Sequence, residues 1–253
     1  MRLSVCIDML LRDLPVAERI RSVKHTGISA IEFWSWENKD INELEAVANR
    51  YQVEIAAFCT KFVSLVDPAM RDEYIAGLKE TIPVARRLAC SRLITQVGNE
   101  LTGVPREKQL ESLVGGLKAC VPILAESRVT LLVEPLNVLV DHKGYFLYSS
   151  QEAFDVVREV NSPYVKVLYD IYHQQVSEGN LIPTIQSNID LIGHLHVADH
   201  PGRHEPGTGE INYRNVFKAI AETGYAGLVG LEFRPTSSAI EALEEVVQLL
   251  EGL

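Results

Sequence analysis

Two apolar patterns alternate along the chain. Eight short runs are rich in β-branched and aliphatic residues, at 3–8, 29–34, 53–58, 92–97, 129–134, 165–170, 191–196 and 228–233. Several are apolar at consecutive positions, as strands covered on both faces are. Between them, apolar residues recur every three or four positions, which predicts helices with one buried face. Those stretches are 15–26, 40–51, 68–90, 107–126, 150–160, 213–223 and 237–251, with a fainter one around 180–189. Asp40, Ser150 and Asn212 stand where N-caps belong. Gly27 and Gly224 stand where helices should stop before the next strand.

Eight strands alternating with helices predict an α/β fold, a (β/α)8 TIM barrel, with residues 1–253 forming a single domain. No Pro/Gly/Ser-rich linker, repeat or low-complexity tract divides the chain. A doubly wound open sheet is the competing arrangement. It is weakened because no GxGxxG turn follows the first strand.

Composition narrows the function. With 253 residues, 47% of them hydrophobic, the chain can bury a large core without staples. The formal net charge is −10, whereas a nucleic-acid binder needs a basic face, so no nucleic-acid partner is expected. No stretch approaches the ~18 uncharged apolar residues of a membrane helix, so no membrane association is expected. The opening MRLSVCIDMLLRDL carries Asp8 and reads as a first strand, not a signal peptide. Cys6, Cys59, Cys90 and Cys120 form no CxxC pair. They read as buried thiols in a reducing compartment, which predicts a cytoplasmic protein.

The chemistry lies where the last four strands end. Strand five ends at Glu134, strand six at Asp170, strand seven at His196 and strand eight near Glu232, at spacings of 36, 26 and 36 residues. In a barrel all strands point one way, so these side chains should meet at the C-terminal mouth. Any one of them alone reads more simply as a solvated loop acid or a cap. Four at successive strand ends weaken that reading. Three carboxylates and one imidazole suit a divalent ion, Mn or Mg first, with Co or Zn tolerated.

Other residues around the mouth are less decisive. Arg203, in the segment HLHVADHPGRHEPGTGEINY, can fork onto a bound ligand or be a surface arginine. His173, three residues after Asp170, can face a substrate oxygen or be a structural histidine. Trp34 and Trp36 can wall a pocket, though packing under a loop is the simpler reading. Glu32 lies within strand two and can point into the barrel. Asp199 reads equally as an acceptor behind the site or as a loop acid, while His200, His204 and Lys61 read as surface residues.

VEPLN (133–137), YDIYH (169–173), GHLHVAD (193–199), EPGTGEINY (205–213) and GLEF (230–233) together resemble hydroxypyruvate isomerases of the xylose-isomerase-like barrel superfamily. The resemblance is strongest from about Leu131 to Pro235. It implies a metal-dependent aldose–ketose isomerase acting on a small hydroxy-keto acid, of the hydroxypyruvate to tartronate semialdehyde type, by proton transfer through an enediolate. Glu134 and Glu232 would be the acid/base pair and metal ligands, Asp170 and His196 further ligands, and His173 and Arg203 substrate contacts. A small keto acid or keto-sugar would be the partner, and homo-oligomers are common in the superfamily. A 2-oxo-tetronate isomerase or a ketose 3-epimerase is the alternative. The epimerase is disfavoured because Val140 stands where such enzymes carry an acid. A non-catalytic sugar-binding barrel and a nuclease are the alternatives of other classes.

Overall fold

The computed structural model describes residues 1–251. The strands are β1 (Arg2–Cys6), β2 (Ala30–Phe33), β3 (Glu54–Cys59), β4 (Arg92–Thr95), β5 (Thr130–Val133), β6 (Val165–Asp170), β7 (Ile192–Val197) and β8 (Leu228–Leu231). All pair in parallel in chain order, and β8 returns to β1, closing the barrel. The expected open-sheet alternative is thereby excluded.

The helices are α1 (Val16–His25), α2 (Ile41–Tyr51), α3 (Arg71–Arg87), α4 (Arg106–Ser127), α5 (Ser150–Val160), α6 (Ile171–Ser177), α7 (Leu181–Asn188), α8 (Tyr213–Glu222) and α9 (Ala239–Glu251). Their apolar stripes pack on the outer face of the strands in one continuous core. Asp40 caps α2 by accepting from the amides of Asn42 and Glu43, and Asn212 caps α8 through Asn215. The cap of α5 is Ser149, not Ser150, because the Ser149 side chain accepts from the Glu152 amide. Ser150 instead donates to Glu178 at 2.6 Å.

Two helical expectations change. The stretch 68–90 splits into a 3₁₀ turn at Pro68–Met70, capped by Asp67, and then α3. Helix α6 has no counterpart in the sequence pattern. It is only seven residues long, and Ile171, Tyr172, His173 and Gln174 are all buried, so no amphipathic stripe announces it.

The barrel interior is divided by chemistry. Glu32 on β2 reaches His194 and His196 on β7, although β1 and β8 lie between those strands in the sheet. The contact therefore crosses the interior, and side-chain alternation places Ser4, Glu32, His194, His196 and Gly230 on the inner face. Across from them Ala57, Cys59, Ile94, Leu132 and Leu168 form a separate apolar cluster. One side of the barrel is thus a packed plug and the other a polar network leading to the mouth.

Candidate active site

At the mouth, Glu134, Asp170, His196 and Glu232 each offer a ligand atom, and the four atoms lie within 4.8 Å of one another. All four residues are buried. Asp170 ends β6 inside the ladder and His196 sits within β7. Glu134 and Glu232 stand one residue past β5 and β8, each held by its own amide, to Thr95 O and Val197 O respectively, both at 3.2 Å. Tyr145 fastens the same corner: its hydroxyl donates to Glu134 O at 3.0 Å and accepts from the Val97 amide at 2.8 Å.

His196 shows which atom faces the centre. Its Nε2 meets Glu32 Oε2 at 2.8 Å, while its Nδ1 lies 3.8 Å from Glu134 Oε1 and 3.7 Å from Glu232 Oε2. That Nδ1 is buried and without a hydrogen-bond partner. A buried, unpaired nitrogen aimed at three carboxylates is what a cation ligand looks like. The residues therefore fit a divalent metal. Oxygen-rich ligation with one imidazole suits Mn or Mg, and Zn or Co less specifically.

The two glutamates differ electrostatically. Burial pushes the Glu134 carboxyl up to about 8, with the Glu232 and Asp170 charges adding to it against the pull of His196. Burial acts on Glu232 too, but Arg203, His196 and the Trp34 indole outweigh it, and its carboxyl is held below the usual range. Burial also raises Asp170. Burial opposes the charged form of His196, yet Glu32, Glu232 and Glu134 prevail and raise it to about 10.

Arg203 is not a surface residue. It is 8% exposed, pairs with Glu232, lies 3.8 Å from Asp170 Oδ2 and sits over the Tyr172 ring. Its loop is organised by Asp199, which is buried and accepts from the amides of His200, Gly207 and Ile211. Asp199 is thus the fastener of the loop that carries Arg203. Gly207, at φ 103°, supplies the turn that Asp199 anchors.

His173 is fully buried and lines the mouth cavity. Its Nδ1 accepts from the Asn137 side-chain amide at 2.7 Å and from the Asn137 backbone at 3.3 Å. Asn137 Oδ1 is already used by the amides of Val140 and Asp141, so its Nδ2 must be the end facing His173. Burial and the nearby Arg203 hold His173 well below its ordinary value, so it is neutral. Its proton is therefore on Nε2, which has no hydrogen-bond partner and lies 3.6 Å from Asp170 Oδ2. A single N–H donor is presented beside the metal-ligand candidates.

Three contributors were not assigned from sequence. Trp34 donates its indole N–H to Glu232 Oε1 at 2.6 Å. Asp8 accepts the Trp34 amide at 2.9 Å and pairs with Lys39 at 2.7 Å, fixing the start of that loop. Asn137 sets the His173 tautomer. The last had a signal in sequence, an Asn three residues past a strand-end acid. Trp34 was read from sequence only as a candidate pocket wall, a place it does occupy, while its bond to Glu232 and the role of Asp8 had no local signal. Trp36 packs outside the site, bonded to Thr81, and Lys61 pairs with Glu80 and Glu37. The mouth opens into a cavity of about 670 Å³, lined by Glu134, His196 and Glu232 together with Trp34, Phe62, Gln96, His142 and Arg12.

Known proteins resemble this chain in sequence and in fold. The sequence profile described as xylose isomerase-like TIM barrel matches residues 20–253. Hydroxypyruvate isomerase of Escherichia coli K12 is 32% identical over 247 residues, covering 94% of this chain and 95% of that protein. A 2-oxo-tetronate isomerase of Cupriavidus necator is 36% identical over 138 residues, 54% of this chain and 51% of that one. Among solved structures, a protein of Brucella melitensis described as AP endonuclease, family 2, superposes with a TM-score of 0.93 at 26% identity, covering 98% of both chains. No helix among the described residues is long and apolar enough to cross a membrane. The chain belongs to the xylose isomerase-like TIM barrel family and is an isomerase related to the hydroxypyruvate isomerases.

Proposed function

We propose that the chain interconverts a small 2-keto-3-hydroxy acid with its aldehyde isomer, of the hydroxypyruvate to tartronate semialdehyde type. The observation that carries this is the pairing of Glu134 and Glu232 across one cluster with opposite electrostatic settings. Glu134, Asp170, His196 and Glu232 are the residues that would hold a divalent ion, Mn or Mg first. Such an ion, when bound, supplies a Lewis acid that stabilises negative charge on adjacent substrate oxygens.

The rest falls to the chain's own groups. Glu232, held ionised, takes the proton from the hydroxyl-bearing carbon. The hydroxyl proton crosses to the neighbouring carbonyl oxygen, giving an enediol(ate) between the two carbons. Glu134, favoured in its protonated form, returns a proton to the former carbonyl carbon, and the aldehyde forms at the other. His173, with its proton fixed on Nε2, donates a hydrogen bond to a substrate oxygen. Arg203 keeps Glu232 charged and contacts the substrate carboxylate or hydroxyls from the loop over the mouth. Burial of these groups limits their contact with water, so each of these interactions is stronger than it would be in bulk solvent.

A second reading rests on size and on a relative. The cavity is several times larger than a three-carbon acid requires, and the Cupriavidus relative is described as a 2-oxo-tetronate isomerase. A four-carbon oxo acid fits the same chemistry with one more hydroxyl. Residues 1–253 acting as one domain, and a cytoplasmic location, complete the proposal; four free, buried cysteines agree with the latter. Incubating the Mn-loaded protein with hydroxypyruvate, 2-oxo-tetronates and ketohexoses, and identifying products by NMR, tests it. Transfer of the carbonyl to the neighbouring carbon of an oxo acid is expected, giving the aldehyde from hydroxypyruvate and the 3-oxo isomer from a 2-oxo-tetronate. Epimerised ketohexose with no oxo-acid turnover would overturn it.

A further inference from the structure

Glu32 lies on β2, deep in the barrel behind the cavity-lining His196, and it is 1% exposed. A buried carboxylate at such a position is costly unless its oxygens are fully engaged. They are. Oε1 accepts from Ser4 Oγ and meets His194 Nε2 at 2.9 Å, and Oε2 meets His196 Nε2 at 2.8 Å. Space for this is left by Gly230 on β8, which stands opposite both His196 and Ser4 in the ladder. A Cβ there would lie 2.6 Å from Glu32 Oε1 and 2.6 Å from His196 Cδ2. The network spans β1, β2, β7 and β8 and ends on one nitrogen of His196.

An ionised carboxylate can only accept, so the His196 nitrogen it faces must carry a proton. The other nitrogen, Nδ1, points at Glu134 and Glu232 with no partner of its own. We propose that Glu32 is a positioning residue that retains the Nε2 proton of His196, so that Nδ1 is the nitrogen bared toward a cation held with Glu134, Asp170 and Glu232. This rests on the metal-dependent reading above and adds the residue that selects the ligand atom. Carboxylate–imidazole–metal relays fix both the tautomer and the ring orientation, and they raise ligand basicity.

The same three residues, Glu32, His194 and His196, are close enough to be considered as a second ion site. Their contacts argue otherwise. The carboxylate oxygens already serve three donors, and both Nε2 atoms sit at hydrogen-bond distance from the oxygens instead of converging on a common point.

The test uses the full chain. Protein with ¹⁵N-labelled histidine is loaded with Zn²⁺, a diamagnetic probe, and the His196 ring nitrogens are assigned by NMR. A proton on Nε2, protected from exchange, and a metal-bound Nδ1 are expected. In parallel, Mn²⁺ affinity and stoichiometry are measured by calorimetry for wild type and Glu32→Gln, with the melting temperature of the metal-free proteins as the fold control. Loss of a supporting carboxylate should weaken Mn²⁺ binding about 10–100-fold. A purely structural role would lower the melting temperature and leave the affinity of the folded protein unchanged, which overturns the proposal. Zn²⁺ on Nε2, or two tightly bound ions per chain, overturns it as well. Wild-type protein that binds no divalent ion overturns this inference and the metal-dependent function together, whereas equal binding by wild type and Glu32→Gln overturns this inference alone. If Glu32→Gln does not fold, the wild-type NMR assignment alone decides.

Discussion

Glu134 and Glu232 stand just beyond strands β5 and β8 and face the same imidazole nitrogen, at 3.8 and 3.7 Å from His196 Nδ1. Their surroundings drive them apart: burial lifts Glu134 to about 8, while Arg203, His196 and Trp34 outweigh burial at Glu232 and hold it low. Opposed protonation preferences around one centre are what the proposed acid and base require. Glu134→Gln and Glu232→Gln should each lower kcat by ~10²–10⁴, the usual value of a positioned acid or base. Steady-state assays beside thermal melts check this, because both variants should still fold.

The indole of Trp34 is 38% exposed, yet its N–H reaches Glu232 at 2.6 Å. Trp34→Phe keeps the aromatic wall and removes only the donor. A hydrogen bond to a charged group is worth ~1.5–3 kcal/mol, so kcat should fall by about 10–100-fold. The variant's pH–rate profile should show its acidic limb moved toward higher pH, since Glu232 loses a group that favours its ionised form.

Cation uptake should depend on pH with a definite sign. At neutral pH and without metal, His196 at about 10 and Glu134 at about 8 both hold protons. A cation must displace them, so binding releases protons and affinity rises with pH through 8 and on toward 10. Calorimetry in buffers of different ionisation enthalpy measures the protons released. Chelation should abolish activity, and Mn or Mg should restore it.

Gly230 has no room for a side chain, because a Cβ would meet Glu32 and His196 at 2.6 Å. Gly230→Ala should cost ~1–3 kcal/mol of stability by overpacking. Denaturant unfolding reads this directly, with the change appearing in the midpoint and not in the slope.

The barrel was legible because its strands are doubly covered and its helices amphipathic. Those are patterns of period and run length that survive in a single sequence. The four ligand candidates were legible for a related reason. A parallel barrel delivers every strand end to one rim, so strand-end acids are neighbours however far apart they lie in the chain. The Trp34–Glu232 bond and the Glu32 network were not legible, since they join residues about 160 to 200 positions apart through contacts that no local pattern encodes. Helix α6 escaped for the opposite reason: it is short and buried nearly all round. Arg203 read equally as a surface residue, because its burial depends on Asp199 gathering three amides of the same loop.

The most direct measurement is solvent deuterium incorporation. Mn-loaded protein is incubated in D₂O with hydroxypyruvate and with a 2-oxo-tetronate, and the label is located by NMR. The account predicts deuterium on the carbon that receives the returned proton in the product, with labelling lost in both Glu134→Gln and Glu232→Gln. Turnover without any solvent label, or labelling undiminished in either variant, would contradict proton transfer by this pair.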